Sequence, residues 1–362
     1  MGRSGRCGME ERKWACTHCG LPKGIGRGNT WHKNGVITAS QPPHIRGTLY
    51  DVEELNNLFP EISRRIGFDI TRLVIEGKRR DGVRYTRSLM DNLRRAGMEP
   101  APMDVFRMIS RFCAYWGLGI AEILEYREGE ILSVRTPAYY SDPMARGDWA
   151  GVFEAADGSR GDPRWRDETT RDIIDIVAVE GEPELEERIE QEVELGIPFT
   201  EEGDLEYRYC PECGIPLAIS EQFEWNPEIS LIRERISGKR FILHNTNGIV
   251  AVVRVLEEEL GEEIGDIIAE ISRGYARGYY GEIRDRTSLE AELLKFPLRS
   301  WGRATALKRE GDDYRIRILN PYSPPVVSGR VWGLLEVFEG RDLVLGERNE
   351  GEGYVEIFLK TA

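Results

Sequence analysis

The segment WACTHCGLP, Trp14–Pro22, recurs as YCPECGIP, Tyr209–Pro216, so that Cys16 and Cys19 lie 194 residues before Cys210 and Cys213. The same offset relates Gly20 to Gly214, Pro22 to Pro216, Trp31 to Trp225, Gly67 to Gly261, Ile70 to Ile264, Glu76 to Glu270, Arg79 to Arg273 and Tyr85 to Tyr279. Farther along the spacing shortens: YWGLGIAEI faces SWGRATAL, and Gly151-Val-Phe-Glu154 matches Gly333-Leu-Leu-Glu336. A repeat this long and in this order means two copies of one unit, 1–195 and 196–362. Any fold proposed for the chain must therefore serve twice.

A C-x-x-C-G knuckle supplies two thiolates, and a tetrahedral ion needs four ligands, so one knuckle cannot close a site alone. The arrangement expected from the duplication is a shared four-cysteine site of Cys16, Cys19, Cys210 and Cys213 on the axis relating the copies. Zinc is the ion this set suggests, and iron fits the same ligands. Alternatives remain: each knuckle closing separately, the first with help from Cys7, His18 or His32, or two free thiol pairs. Neither knuckle is C-x-x-C-H, which argues against covalent haem, and the flanking pattern is not that of a redox dithiol. Cys7 and Cys113 have no partner in the repeat, and Cys113 in RFCAYWG reads as a small core residue.

The chain has 362 residues, six cysteines and a net charge of −14. The acidity disfavours a phosphate-backbone partner. No apolar run reaches the length of a membrane span, the N-terminus lacks a signal-peptide core, and the thiols suit a reducing compartment, so a cytoplasmic protein without a membrane span is expected.

Apolar periodicity predicts helices over DVEELNNLFPEISRRIG, RLVIEGKRRDGVRYTRSLMDNLRRAG and MDVFRMISRFCAYWG in the first copy, and over VAVVRVLEEELGEEIGDIIAEISRGYARGYYGEI in the second. Gly97 reads as a helix stop before Pro100. Alternation then predicts a β-hairpin in each copy, IAEILEYREGEILSVRTP and ATALKREGDDYRIRILNP. A short helix, WAGVFEAAD or VWGLLEVFEG, and final strands, RDIIDIVAVE or LVLGERNEGEGYVEIFLK, complete the unit. The fold class is α+β: two tandem repeats, each a helical layer on an antiparallel sheet, joined by the shared four-cysteine site. Residues 180 to 206 are mostly acidic and read as a solvated helix or linker.

The glycine-punctuated helical segments IGFDITRLVIEGKRRDGVRY and LGEEIGDIIAEISRGYARGYY, the Trp-Gly that closes a helix and opens a hairpin, and the following helix with Gly and Glu together resemble the 4-vinyl reductase domain, also called the predicted hydrocarbon-binding domain. The resemblance covers most of both copies. It implies a fold similar to that of a subunit of Golgi transport tethers, of haem-based nitric-oxide sensor domains and of phenol-sensing activator domains. It also implies a small apolar or tetrapyrrole-like molecule held between helices and sheet. Family members often carry zinc-binding cysteines in the last strands; RDIIDIVAVE and GEGYVEIFLK have none, so that site cannot be transferred by position.

No nucleophile elbow, phosphate loop or His-Glu-x-x-His motif occurs, and His18, His32, His44 and His244 do not recur between copies, so nothing demands an enzyme. The recurring carboxylates, Glu76 with Glu270 and Glu154 with Glu336, read as solvated or ion-paired. Arg80, Arg84 and Arg87 share a helical face; that face is either simply solvated or an anion-binding mouth to an apolar pocket. Tyr85, Phe112 and Trp116 are the candidate pocket residues, with plain core packing as the alternative, and the first copy is the one expected to keep an open pocket. The function expected is a non-catalytic sensor, carrier or assembly subunit that binds a small hydrophobic or amphipathic ligand, with a protein partner or a second copy open. The alternative is a zinc-ribbon adaptor for nucleic acid or protein. Vinyl-group reduction rests on the family name and has no residues behind it.

Overall fold

The computed structural model of the chain describes residues 13–41, 44–180, 203–261 and 263–361. Cys7 and nearly all of the acidic stretch joining the copies lie outside these residues. The first copy runs α1 (Lys23–Gly28), β1 (Asn29–Trp31), β2 (Ile37–Ala39), β3 (Arg46–Asp51), α2 (Val52–Ile66), α3 (Thr71–Arg95), α4 (Pro102–Trp116), β4 (Glu122–Arg127), β5 (Ile131–Arg135), α5 (Asp142–Asp157), β6 (Gly161–Trp165) and β7 (Ile173–Ala178). The second runs α6 (Leu217–Gln222), β8 (Phe223–Asn226), β9 (Leu231–Glu234), β10 (Arg240–Asn245), α7 (Asn247–Leu260), α8 (Ile264–Ile283), α9 (Leu289–Leu298), β11 (Arg303–Glu310), β12 (Asp313–Leu319), α10 (Pro324–Glu339), β13 (Leu343–Gly351) and β14 (Tyr354–Thr361). The α+β class, the hairpins, the long α3 and the final strands match the sequence reading. The short strands β1 to β3 and β8 to β10 are additions to it, and the long helical stretch of the second copy is two helices broken at Gly261.

Those short strands form one antiparallel sheet in the order β1-β2-β3-β10-β9-β8, half from each copy. At its centre β3 pairs with β10, and Leu49 stands opposite Leu243. These two are repeat equivalents, so a pseudo-two-fold axis passes between them. Two four-stranded sheets, β4-β5-β7-β6 and β11-β12-β14-β13, repeat one topology on either side.

Packing does not respect the sequence halves. Helix α3 packs on α5 of its own copy and on α7 of the other; α8 packs on α10 and on α2 of the first copy. Each helical layer thus takes its front helix from one copy and its rear pair from the other. Polar contacts cross in the same way. The Trp31 indole donates to the carbonyl of Leu298 at 3.2 Å and that of Trp225 to the carbonyl of Tyr115 at 2.8 Å.

Two arginines at the repeat offset, Arg46 buried and Arg240 half-buried, tighten the exchange. Arg46 donates to the carbonyls of Ser300, Asn320 and Pro321 in the second copy, and Arg240 to those of Gly117, Ala138 and Tyr139 in the first. Burial of Arg46 pulls its pKa down to about 10, still charged at neutral pH. Its five-donor fork suits a cluster of carbonyls that a methylene chain cannot satisfy. Arg46→Met should cost about 3–5 kcal/mol in chemical denaturation, because buried acceptors lose their donors. A loss below about 1 kcal/mol would mean that water replaces the guanidinium.

Within each half the rear helices touch closely. Gly147 and Gly151 of α5 lie on α3, and Gly329 and Gly333 of α10 lie on α8. A Cβ would come within 2.5 Å of the Ile75 carbonyl at Gly147 and within 2.5 Å of the Arg273 carbonyl at Gly333. The contact is locked by matching ion pairs: Arg79 with Glu154, and Arg273 with Glu336 at 2.6 Å. The recurring Glu154 and Glu336 are therefore ion-paired.

Candidate functional site

Both knuckles have one geometry. The Cys16 N–H donates to Leu21 O at 2.8 Å and the Gly20 N–H to Cys16 O at 2.9 Å; Cys210 with Ile215 and Gly214 with Cys210 repeat these at 2.8 and 2.9 Å. Gly20 and Gly214 have φ of +76° and +77°, which side-chain-bearing residues rarely adopt. The knuckles face each other across the pseudo-axis. Cys16 Sγ lies 3.5 Å from Cys210 Sγ, Cys19 Sγ lies 3.5 Å from Cys213 Sγ, and all four sulfurs fall within 4.8 Å of one another.

A tetrahedral ion bonded to sulfur at ~2.3 Å sets its sulfurs about 3.8 Å apart, so the four thiols could hold one metal ion. The thiols themselves are in conflict. Burial raises the Cys210 pKa, but the backbone N–H groups of Cys213 and Glu212 more than offset it and leave it at about 7, whereas burial pushes Cys213 up to about 11. Four thiolates this close repel one another unless a cation lies among them. His18 is exposed and gives only its backbone N–H, to Glu212 at 3.2 Å, and the His32 ring bonds Thr38 Oγ1 at 2.8 Å. Neither histidine joins the cluster, and the shared arrangement is the one the fold assembles.

A second site lies among α3, α4, α5 and β10. Here a cavity of about 40 Å³ is lined by Tyr85, Trp116 and Trp149, with Asp81, Asp148 and His244 at its polar end. One water needs only ~10–15 Å³, whereas drug-sized ligand pockets begin near ~300 Å³, so this space suits a small guest rather than a tetrapyrrole. Of the residues expected here, Tyr85 and Trp116 line the cavity. Phe112 instead stacks behind the Trp116 ring, with centroids 5.2 Å apart. Arg80, Arg84 and Arg87 do not line it: Arg80 pairs with Glu76 at 3.0 Å, and Arg84 and Arg87 are exposed. The reason is helical phase, since α3 turns Asp81, Gly82 and Tyr85 toward the cavity. Cys113, expected in the core, is a wall residue.

The polar end escaped the sequence reading. Lys78 is fully buried, and its ammonium meets Asp81 and, at 3.0 Å, Asp148. Tyr140 OH donates to Asp148 at 2.6 Å. His244 Nε2 is buried without a hydrogen-bond partner, 3.7 Å from Asp148. None of these residues but Tyr140 has its like in the other copy, where Ser272, Tyr275, Arg330 and Tyr50 stand at the positions of Lys78, Asp81, Asp148 and His244. There Arg330 pairs with Glu54, and Tyr50 packs edge-on against Tyr322.

No family model and no curated protein matches the chain. Among solved structures, the phenol-responsive sensory domain of the transcription activator PoxR with phenol is similar at 14% identity and a TM-score of 0.32, over 40% of this chain and 87% of that one. An H-NOX protein from S. oneidensis in the Fe(II)NO ligation state is similar at 10% identity and a TM-score of 0.26, over 33% of this chain and 77% of that one. Likeness at this level carries no functional argument. Among the described residues no helix is long and apolar enough to cross a membrane.

Proposed function

We propose that the protein is a non-catalytic binding protein for a small molecule, with a structural zinc ion on Cys16, Cys19, Cys210 and Cys213. The observation that carries the ligand half of this reading is the asymmetry of the two helical layers. A cavity with aromatic walls and one charged end lies where the opposite half places the Arg330–Glu54 pair and the Tyr50–Tyr322 contact. Plain core packing would close both halves alike, and an unpartnered buried imidazole costs stability unless something else is bonded to it. The sequence resemblance to the 4-vinyl reductase domain points the same way.

The test is occlusion. Ala145 is a buried wall residue of the cavity. Ala145→Leu should abolish binding of small aromatic compounds, and of any molecule seen on the purified protein by native mass spectrometry, while the circular dichroism stays unchanged. A wild-type protein that carries and binds none of these, or a variant that binds them as well as wild type, would leave an interaction scaffold as the better account.

A further inference from the structure

We infer that the molecule bound in this cavity carries a protonated amine on a small apolar body. The inference rests on the binding reading above and adds the ligand's charge. Two carboxylates, Asp81 and Asp148, share the cavity's polar end with one ammonium, Lys78. Burial raises the Asp148 pKa, but the Lys78 ammonium and the Tyr140 hydroxyl beside it hold the carboxyl below the usual carboxylate range, so it is ionised. Lys78 stays charged, since its two carboxylates outweigh the burial that opposes it. The other acids of the wall, Tyr85, Cys113 and Tyr140, are neutral, because burial pushes their pKa values up. With His244 in its neutral form, one negative charge is left over at the cavity's polar end, an expensive arrangement unless a cation completes it.

Three features select an organic ammonium. Acceptor atoms of Asp81, Asp148 and His244 all lie within 4.8 Å of one another. An ammonium with three N–H···O/N bonds of ~2.8 Å sets its acceptors about 4.6 Å apart. His244 Nε2, buried and unpartnered, supplies the third acceptor in its neutral form. Second, charge decides against a divalent ion: it would turn the surplus of one negative charge into one positive, with the Lys78 ammonium already on both carboxylates. A monovalent guest brings the sum to zero. Third, the opposite half contains a cation of its own. Its Trp301 corresponds to Trp116 of the cavity wall, and the Arg330 guanidinium lies 3.8 Å from the Trp301 ring centroid with Glu54 as counter-charge. In the cavity half the side chain at Arg330's position is Asp148, so the cation must come from outside, where Tyr85, Trp116 and Trp149 offer it rings.

The test is titration calorimetry on the full chain near neutral pH with benzylamine and its neutral counterpart benzyl alcohol, followed by Mn²⁺ on zinc-loaded protein. Benzylamine should bind at least about tenfold more tightly than the alcohol, and Asp81→Asn should weaken the amine by about tenfold while leaving the alcohol within about twofold. Should Asp81→Asn fail to fold, the wild-type preference decides alone. Equal or tighter binding of the alcohol would overturn the amine inference and leave the binding reading standing. Binding of neither overturns both. Mn²⁺ binding that Asp81→Asn abolishes would make the cluster a metal site instead.

Discussion

Cys210→Ser should strip the metal from the protein and loosen the junction of its two halves together. With one thiolate gone, the remaining three sulfurs cannot close a tetrahedron, and zinc content should fall from one ion per chain to near none. Structural zinc contributes an apparent ~10–16 kcal/mol in isolated zinc-finger peptides, where the metal is almost the whole fold. Here β3 and β10 also hold the halves, so a smaller loss is expected, on the order of 5 kcal/mol or more by denaturant titration. Chelation of the wild type should give the same loss. Metal analysis returning two ions per chain, or a Cys210→Ser protein as stable as its parent, would refute the shared site.

Gly329→Ala should be among the most damaging additions of a single methyl group to the described residues. Its Cβ would run into the carbonyl oxygen of Ala269 and lie 2.8 Å from Ser272 Cβ, so α10 would have to lift off α8 and strain the Arg273–Glu336 pair. Ordinary overpacking costs about 1–3 kcal/mol because side chains yield. Backbone cannot yield in the same way, and a loss of about 4 kcal/mol or more is expected. Gly274 of α8 is the control, since a Cβ there meets nothing within 4 Å. Gly274→Ala should stabilise the chain by up to ~1 kcal/mol through helix propensity. Equal responses at both positions would show that the helices are not held at backbone contact.

These two sites were unequally visible in the sequence. The knuckles were legible because the four cysteines recur at one offset and thiolate chemistry admits few uses. The Gly147–Gly151 and Gly329–Gly333 spacing is equally plain, yet only Gly151 and Gly333 fall within the segments that match between the copies, each three residues before its glutamate. Arg46 and Arg240 also recur at the knuckle offset, hidden in strands too short and too thoroughly buried for alternation to mark them. The cavity's charged end was invisible for the opposite reason. Lys78, Asp81, Asp148 and His244 are what one copy has and the other lacks, so a search for shared residues passes over them. No local pattern could have shown that His244, from the second copy, completes a wall made by the first. The exchange of helices between copies depends on which surfaces meet, and sequence order does not record it.

That exchange has a consequence for assembly. A chain bearing a single copy could finish neither helical layer and would own only two of the four sulfurs, so it would need a second molecule and would fall apart on dilution. Joining two copies in one polypeptide makes the same association unimolecular and independent of concentration. It also frees the two halves from being identical: a change at Arg330 is not forced on Asp148. A symmetric dimer would have to open both chambers or neither, whereas this chain fills one with the Arg330–Glu54 pair and leaves a cavity in the other.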